Sequence, residues 1–173
     1  QPLNYFSSNS GQRWPIDTGE KANRRALYTY LQRTAPFPAH LIFDAPSRQI
    51  CTAIRSRTNT PLQALVMMND PIFIQSAGSL AQKILSSKAT TNRDKARFLF
   101  RSVLSRLPAD HELGLLVQIF QEQQNLYNAD AKATESLIQS AGIKNPKHPK
   151  PQLAAWTNVA SVVLNLDEAI TRE

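Results

Sequence analysis

His40, Asp44 and Cys51 fall within twelve residues and supply the three side-chain types of a thiol hydrolase: base, orienter and nucleophile. Cys51 is the only cysteine, so no internal disulfide forms and cysteine usage does not reveal the redox compartment. Its neighbours Ile50 and Thr52, with Ile54 close by, equally suit a small buried side chain without chemistry. Nearby arginines would depress the thiol pKa only if Cys51 were exposed. Metal binding has less to build on. His40, His111 and His148 lie far apart, with no Cys-x-x-Cys, no His-x-x-x-His and no haem-attachment motif, so they read as solvent-exposed or capping side chains.

The arginines carry more information. Arg24, Arg25, Arg33, Arg48, Arg55 and Arg57 surround predicted helix starts and polar amides. A guanidinium fork pairs bidentately with a carboxylate, so one reading clamps Asp44 or Asp70 internally. A second reading is an anion pocket for sulfate, phosphate or uronate. A third, nucleic acid, is suggested by the interleaved Tyr28 and Tyr30, yet no nucleic-acid motif accompanies them. Arg25, Arg48 and Arg57, together with Asp44, Asn59 and Asp70, are therefore the candidate binding residues, and no catalytic or metal set is assigned. Farther on, Arg93, Arg97 and Arg101 recur every fourth residue as a basic ridge, expected to be a solvated face.

The whole chain bounds these options. Its 173 residues, 42% hydrophobic and 19% charged, suffice for one domain with a substantial core and argue against disorder. The net charge of +7 divides unevenly, +5 over residues 1–60 and +2 over 61–173. The basic N-terminal third suits phosphate, sulfated glycan, anionic lipid or an acidic partner surface, among which charge alone does not choose. The longest apolar run is ALVMM, residues 64–68, far short of the ~20 residues that span a bilayer. The chain opens on Gln1 rather than Met and shows no signal peptide, which suggests a piece of a longer or processed product.

Elements follow from caps and periodicity. Residues 1–22 read as an extended strap bearing Tyr5, Phe6 and Trp14, with sugar stacking as the sharper alternative. A helix over about 23–33 places Ala26, Leu27, Tyr30 and Leu31 on one face and ends at Pro36 and Pro38. A helical turn is expected to begin at Asp44 as N-cap, with Pro46 in its first turn. Thr60-Pro61-Leu62-Gln63 has the pattern of a capping box, and Asn69-Asp70-Pro71 breaks and restarts the helix. Thr91 and Asp94 open another helix with a stripe of Ala96, Leu99, Phe100, Val103, Leu104 and Leu107. Pro108 stops it and Asp110 is expected to cap the next. A segment over about 129–140 follows, then the basic loop GIKNPKHPKPQ, then LAAWTNVASVVLNL, apolar on most faces and so placed centrally. Asn165 and Glu168 are expected to form a last capping pair. The reading is all-α: an irregular N-terminal segment packed on a compact bundle of about seven helical segments, in one domain with a helical core over 23–173.

Three stretches resemble a known family. RRALYTYLQRTAPFPAHLIFDAPSRQICTAIRSRTNTPLQALVMMNDPIF is similar to the signature region of the planctomycete PSD-type domain of unknown function, FLFRSVLSRLPADHEL to its middle, and AAWTNVASVVLNLDEAITRE to its closing helix. The resemblance thus extends over nearly the whole chain. It departs where the family is expected to carry acidic residues and this chain has Ile50 and Ile54. The resemblance implies the C-terminal part of an exported, envelope or cell-surface multidomain protein. It implies c-type cytochrome, lectin-like or immunoglobulin-like modules alongside, and any haem would sit on a separate upstream module. Polysaccharide breakdown is its loosest implication. Three functions stand open: a non-catalytic structural and interaction module docking on other domains or envelope proteins, a module binding glycan or acidic polysaccharide, and a hydrolase.

Overall fold

The computed structural model describes Arg24 and residues 26–28, 38–46, 50–54 and 56–171. Helices account for the regular structure, and no strand occurs among the described residues. The chain divides into two compact units, Gln1–Thr58 and Asn59–Glu173. The strap expected over 1–22 lies outside the described residues, as do Tyr30 and Leu31 of the first predicted helix.

In the first unit a 3-10 turn, Ala26–Tyr28, stands where that helix was expected, with Leu27 and Tyr28 exposed. A short helix α1 spans Pro38–Ile42. Pro38 opens it, since a proline at the first helical position loses no bond the helix would have made. Asp44, however, is not an N-cap. It lies beyond the end of α1 at φ 55, and the Ala45 amide reaches back to the His40 carbonyl at 2.8 Å. This six-to-one closure needs a left-handed residue between, a conformation that Asp tolerates better than most side chains. Pro46 then bars continuation.

The second unit is a helical bundle. Helix α2 (Pro61–Asn69) begins on the expected box: Thr60 Oγ1 accepts from the Gln63 amide at 3.3 Å, and Gln63 Oε1 accepts from the Thr60 amide at 3.0 Å. Asp70 closes α2 and caps α3 (Pro71–Leu85), its Oδ1 accepting from the Ile72 amide at 2.8 Å. Helix α4 (Asn92–Leu104) opens on Thr91, whose hydroxyl oxygen accepts from the Asp94 amide at 3.0 Å. Leu107 lies past its end and is exposed, so the apolar stripe stops at Leu104.

Helix α5 (Asp110–Ala129) starts from Ala109 rather than from an Asp110 cap. Glu112 explains why, since its carboxylate accepts the Ala109 amide at 2.6 Å and leaves Asp110 to pair with Arg93. Asp130 caps α6 (Ala131–Ser140) through bonds from the Lys132 and Ala133 amides, both 2.9 Å. Gly142, at φ +69, ends α6, with Gly142 and Ile143 amides returning to Gln139 and Ile138 carbonyls at 2.9 and 3.2 Å.

Helix α7 (Lys150–Leu164) is the central element that its apolar sequence predicts. It packs against α3, α4, α5 and α6, and buries Leu153 to Thr157, Val159, Ala160 and Val163. Trp156 stacks on Phe120 at 4.5 Å between ring centroids, a pair worth about 1 kcal/mol beyond its burial. Ala77, Ala81 and Gly78 line the buried face of α3, where small side chains permit close approach. The chain ends in a four-residue helix α8 (Asp167–Ile170). The expected Asn165–Glu168 cap is not made: the Asn165 amide closes α7 on the Ser161 carbonyl at 3.1 Å, and Glu168 turns to Arg106. No described helix is long and apolar enough to cross a membrane.

Candidate functional site

Of the candidate binding residues, Asp44, Arg57, Asn59 and Asp70 are described. Asp44 Oδ2 accepts both the amide and the hydroxyl of Thr58 at 2.8 Å, joining two residues fourteen positions apart. Arg57, beside Thr58 in sequence, is exposed. Arg25 and Arg48 lie outside the described residues. Asn59 belongs to the second unit, where its Nδ2 donates to Asp167 Oδ1 of α8 at 2.6 Å. Asp70 holds the start of α3. Neither aspartate takes part in an ion pair among the described residues. These bonds engage Asp44 through Oδ2 and Asp70 through Oδ1, and Arg33 and Arg55 of the clamp reading, like Arg25 and Arg48, lie outside the described residues.

Cys51 is exposed, which corrects the buried-cysteine reading. Ile50 and Ile54 are 76% and 85% exposed, so apolar neighbours in sequence did not imply an apolar pocket. His40 is half-buried on α1, His111 is exposed, and His148 lies 3.3 Å from the Ser86 hydroxyl. No three of the described His, Cys, Asp and Glu side chains are placed to hold a metal ion.

A clamp does exist, on a residue the motif reading passed over. Arg106, in the loop between α4 and α5, is bidentate to two carboxylates. Its Nη1 and Nη2 donate to Glu112 at 2.9 and 2.7 Å, and its Nε and Nη2 donate to Glu168 at 2.7 Å each. The guanidinium carbon lies 4.6 Å from the centroid of the buried Phe100 ring, so the cation is stacked as well as forked. The Arg106 hydrogen bonds, helped by the Ala109 amide, pull the Glu112 carboxyl down to about 2. The same guanidinium lowers Glu168, and the two glutamates, Glu168 foremost, raise Arg106 further above its usual range. Both carboxylates therefore stay ionised near neutral pH, which suits a clamp and not proton transfer.

The basic ridge is partly neutralised, since Arg93 pairs with Asp110 and Arg97 with Asp94 at 3.2 Å. Two open hollows adjoin these elements. One of about 640 Å³ borders the clamp and is lined by Ser105, Asp167, Glu168 and Thr171 among others. The other, about 570 Å³, lies at the end of α3.

Among the described residues the fold is all-α, and these polar side chains cap helices or tie one to another. Residues 2–120 match the family model PSD1, described as a protein of unknown function (DUF1553), and the chain belongs to that family. The match runs through α1 to α4 and into α5; the closing segment, which the sequence likeness included, lies beyond it. No curated protein and no solved structure matches the chain.

Proposed function

We propose that this chain is a non-catalytic helical module of an exported multidomain protein. It organises surfaces for neighbouring domains or envelope proteins and works beside c-type cytochrome modules, with any haem on a separate upstream module. The carrying observation is how the polar side chains of the signature stretch are engaged. Asp44 holds Thr58, Asn59 holds Asp167, Thr60 and Gln63 cap each other, and Asp70 caps α3. The exported, cytochrome-associated setting draws on the sequence likeness alone.

Alkylation of the intact chain by iodoacetamide at neutral pH tests the reading against a hydrolase. An ordinary rate for exposed Cys51, unchanged by His40→Gln, agrees with it; rapid alkylation that slows in His40→Gln contradicts it. The rival polyanion-binding module has one observation in its favour, the exposure of Arg57. It requires salt-sensitive heparin binding that weakens in Arg57→Glu.

A further inference from the structure

The hollow at the end of α3 combines an apolar floor with cationic edges that no carboxylate pairs with among the described residues. Phe98 and Ala89 contribute apolar surface, and Lys83 and Lys88 border it, their aliphatic stems extending the floor while their ammonium groups seek water. Both lysines are exposed, and neither is in an ion pair among the described residues.

The basic loop after α6 runs along the same helix. A Cβ placed on Gly78 would meet Ala141 Cβ at 2.7 Å, which puts the start of the loop against the middle of α3. The Ser86 hydroxyl, 3.3 Å from His148, puts its far end beside the hollow. Segments 71–93 and 136–166 contain no Asp or Glu, yet they hold Lys83, Lys88, Lys144, Lys147 and Lys150. Of the four flanking acids, Asp94 pairs with Arg97 at 3.2 Å and Glu135 with Lys150 at 2.5 Å, while Asp70 caps α3 and Asp167 accepts from Asn59.

Apart from the two ammonium groups, hydrogen-bonding capacity among the lining side chains is small. The Ser87 hydroxyl donates to the Ile84 carbonyl at 2.6 Å and accepts from the Ala89 amide at 3.3 Å, and the Ser86 hydroxyl faces His148. A sugar ring would bring many hydroxyls and find few partners, leaving them desolvated at a cost. A bulky apolar side chain flanked by carboxylates satisfies both the floor and the edges.

We propose that this hollow docks an acidic peptide segment of a partner protein, inserting an aromatic or large aliphatic side chain against Phe98 with Asp or Glu beside Lys83 and Lys88. The assignment deepens the module reading by naming the chemistry of one partner, and its failure leaves the Cys51 and capping tests of that reading untouched.

Fluorescence anisotropy of the full chain with a labelled Asp-Glu-Phe-Leu-Asp-Glu peptide at low salt tests it. Saturable binding is expected, weakened about tenfold or more by Lys83→Glu with Lys88→Glu. Replacing the peptide's Phe and Leu by Ala should weaken it too. The Lys83→Gln, Lys88→Gln pair serves as a milder control, and an unchanged melting curve shows that the fold is kept. No binding, binding indifferent to the lysines, or equal binding of the Ala peptide overturns the proposal, as does preference for polygalacturonate over the peptide.

Discussion

Asn59 donates a 2.6 Å hydrogen bond to Asp167, joining the residue just before the Thr60 cap to the terminal helix α8 across 108 positions of sequence. The bond is exposed, so its contribution is modest. Asn59→Ala and Asp167→Ala should each cost under about 1 kcal/mol, and the double variant should cost less than the sum. A double-mutant cycle by urea denaturation checks this, and strict additivity would show that the two side chains do not interact in solution.

Next along α8, Glu168 meets the Arg106 fork that also holds Glu112. Arg106→Ala should lower the melting temperature, and Arg106→Lys should restore only part of it, because a point-like ammonium cannot fork onto two carboxylates. Full rescue by lysine would reduce the cluster to simple charge.

The same cluster sets a pH dependence. The Glu112 carboxyl lies at about 2 in the folded chain, below its ordinary unfolded value near 4.5. The folded state therefore binds the proton less readily than the unfolded state. The resulting stabilisation is present in full above the unfolded value and is lost as pH falls from there towards 2. Glu168, shifted in the same direction, adds to the trend. Thermal melts between pH 6 and 2 should show a decline that becomes shallower in Arg106→Ala; identical slopes would contradict the clamp.

Gly78 tests the close approach of α3 and the segment after α6. A methyl there would overlap Ala141 Cβ at 2.7 Å and crowd Ile143 Cδ1 at 3.3 Å. Overpacking costs about 1–3 kcal/mol, against a helix-propensity gain of at most about 1 kcal/mol. Gly78→Ala should destabilise on balance, read as a lower urea midpoint, whereas a raised midpoint would show that the contact yields easily.

These contacts mark where sequence reading works. The caps at Thr60, Thr91 and Asp70 were legible because donor and acceptor lie within three residues, as was the central α7, apolar on most faces. Asp44 was misplaced because Asp suits both a helix start and a left-handed closing residue, and only the chain direction through α1 decides between them. Arg106 was missed because its partner Glu168 lies 62 residues away, although Glu112 three residues after Ala109 carries a local capping signal. Cys51 was misjudged because Ile50 beside it and Ile54 three residues on do not determine which way its side chain faces.

The account rests on the polar residues of the signature stretch acting as structure. Its most direct test is the urea midpoint of the Thr60→Ala, Asp70→Ala double variant. Each lost cap should cost about 1 kcal/mol, so the pair should lose about 2 kcal/mol with the helical far-ultraviolet spectrum retained. A midpoint equal to that of the parent chain would contradict the account, since these side chains would then be present for something other than holding α2 and α3 in place.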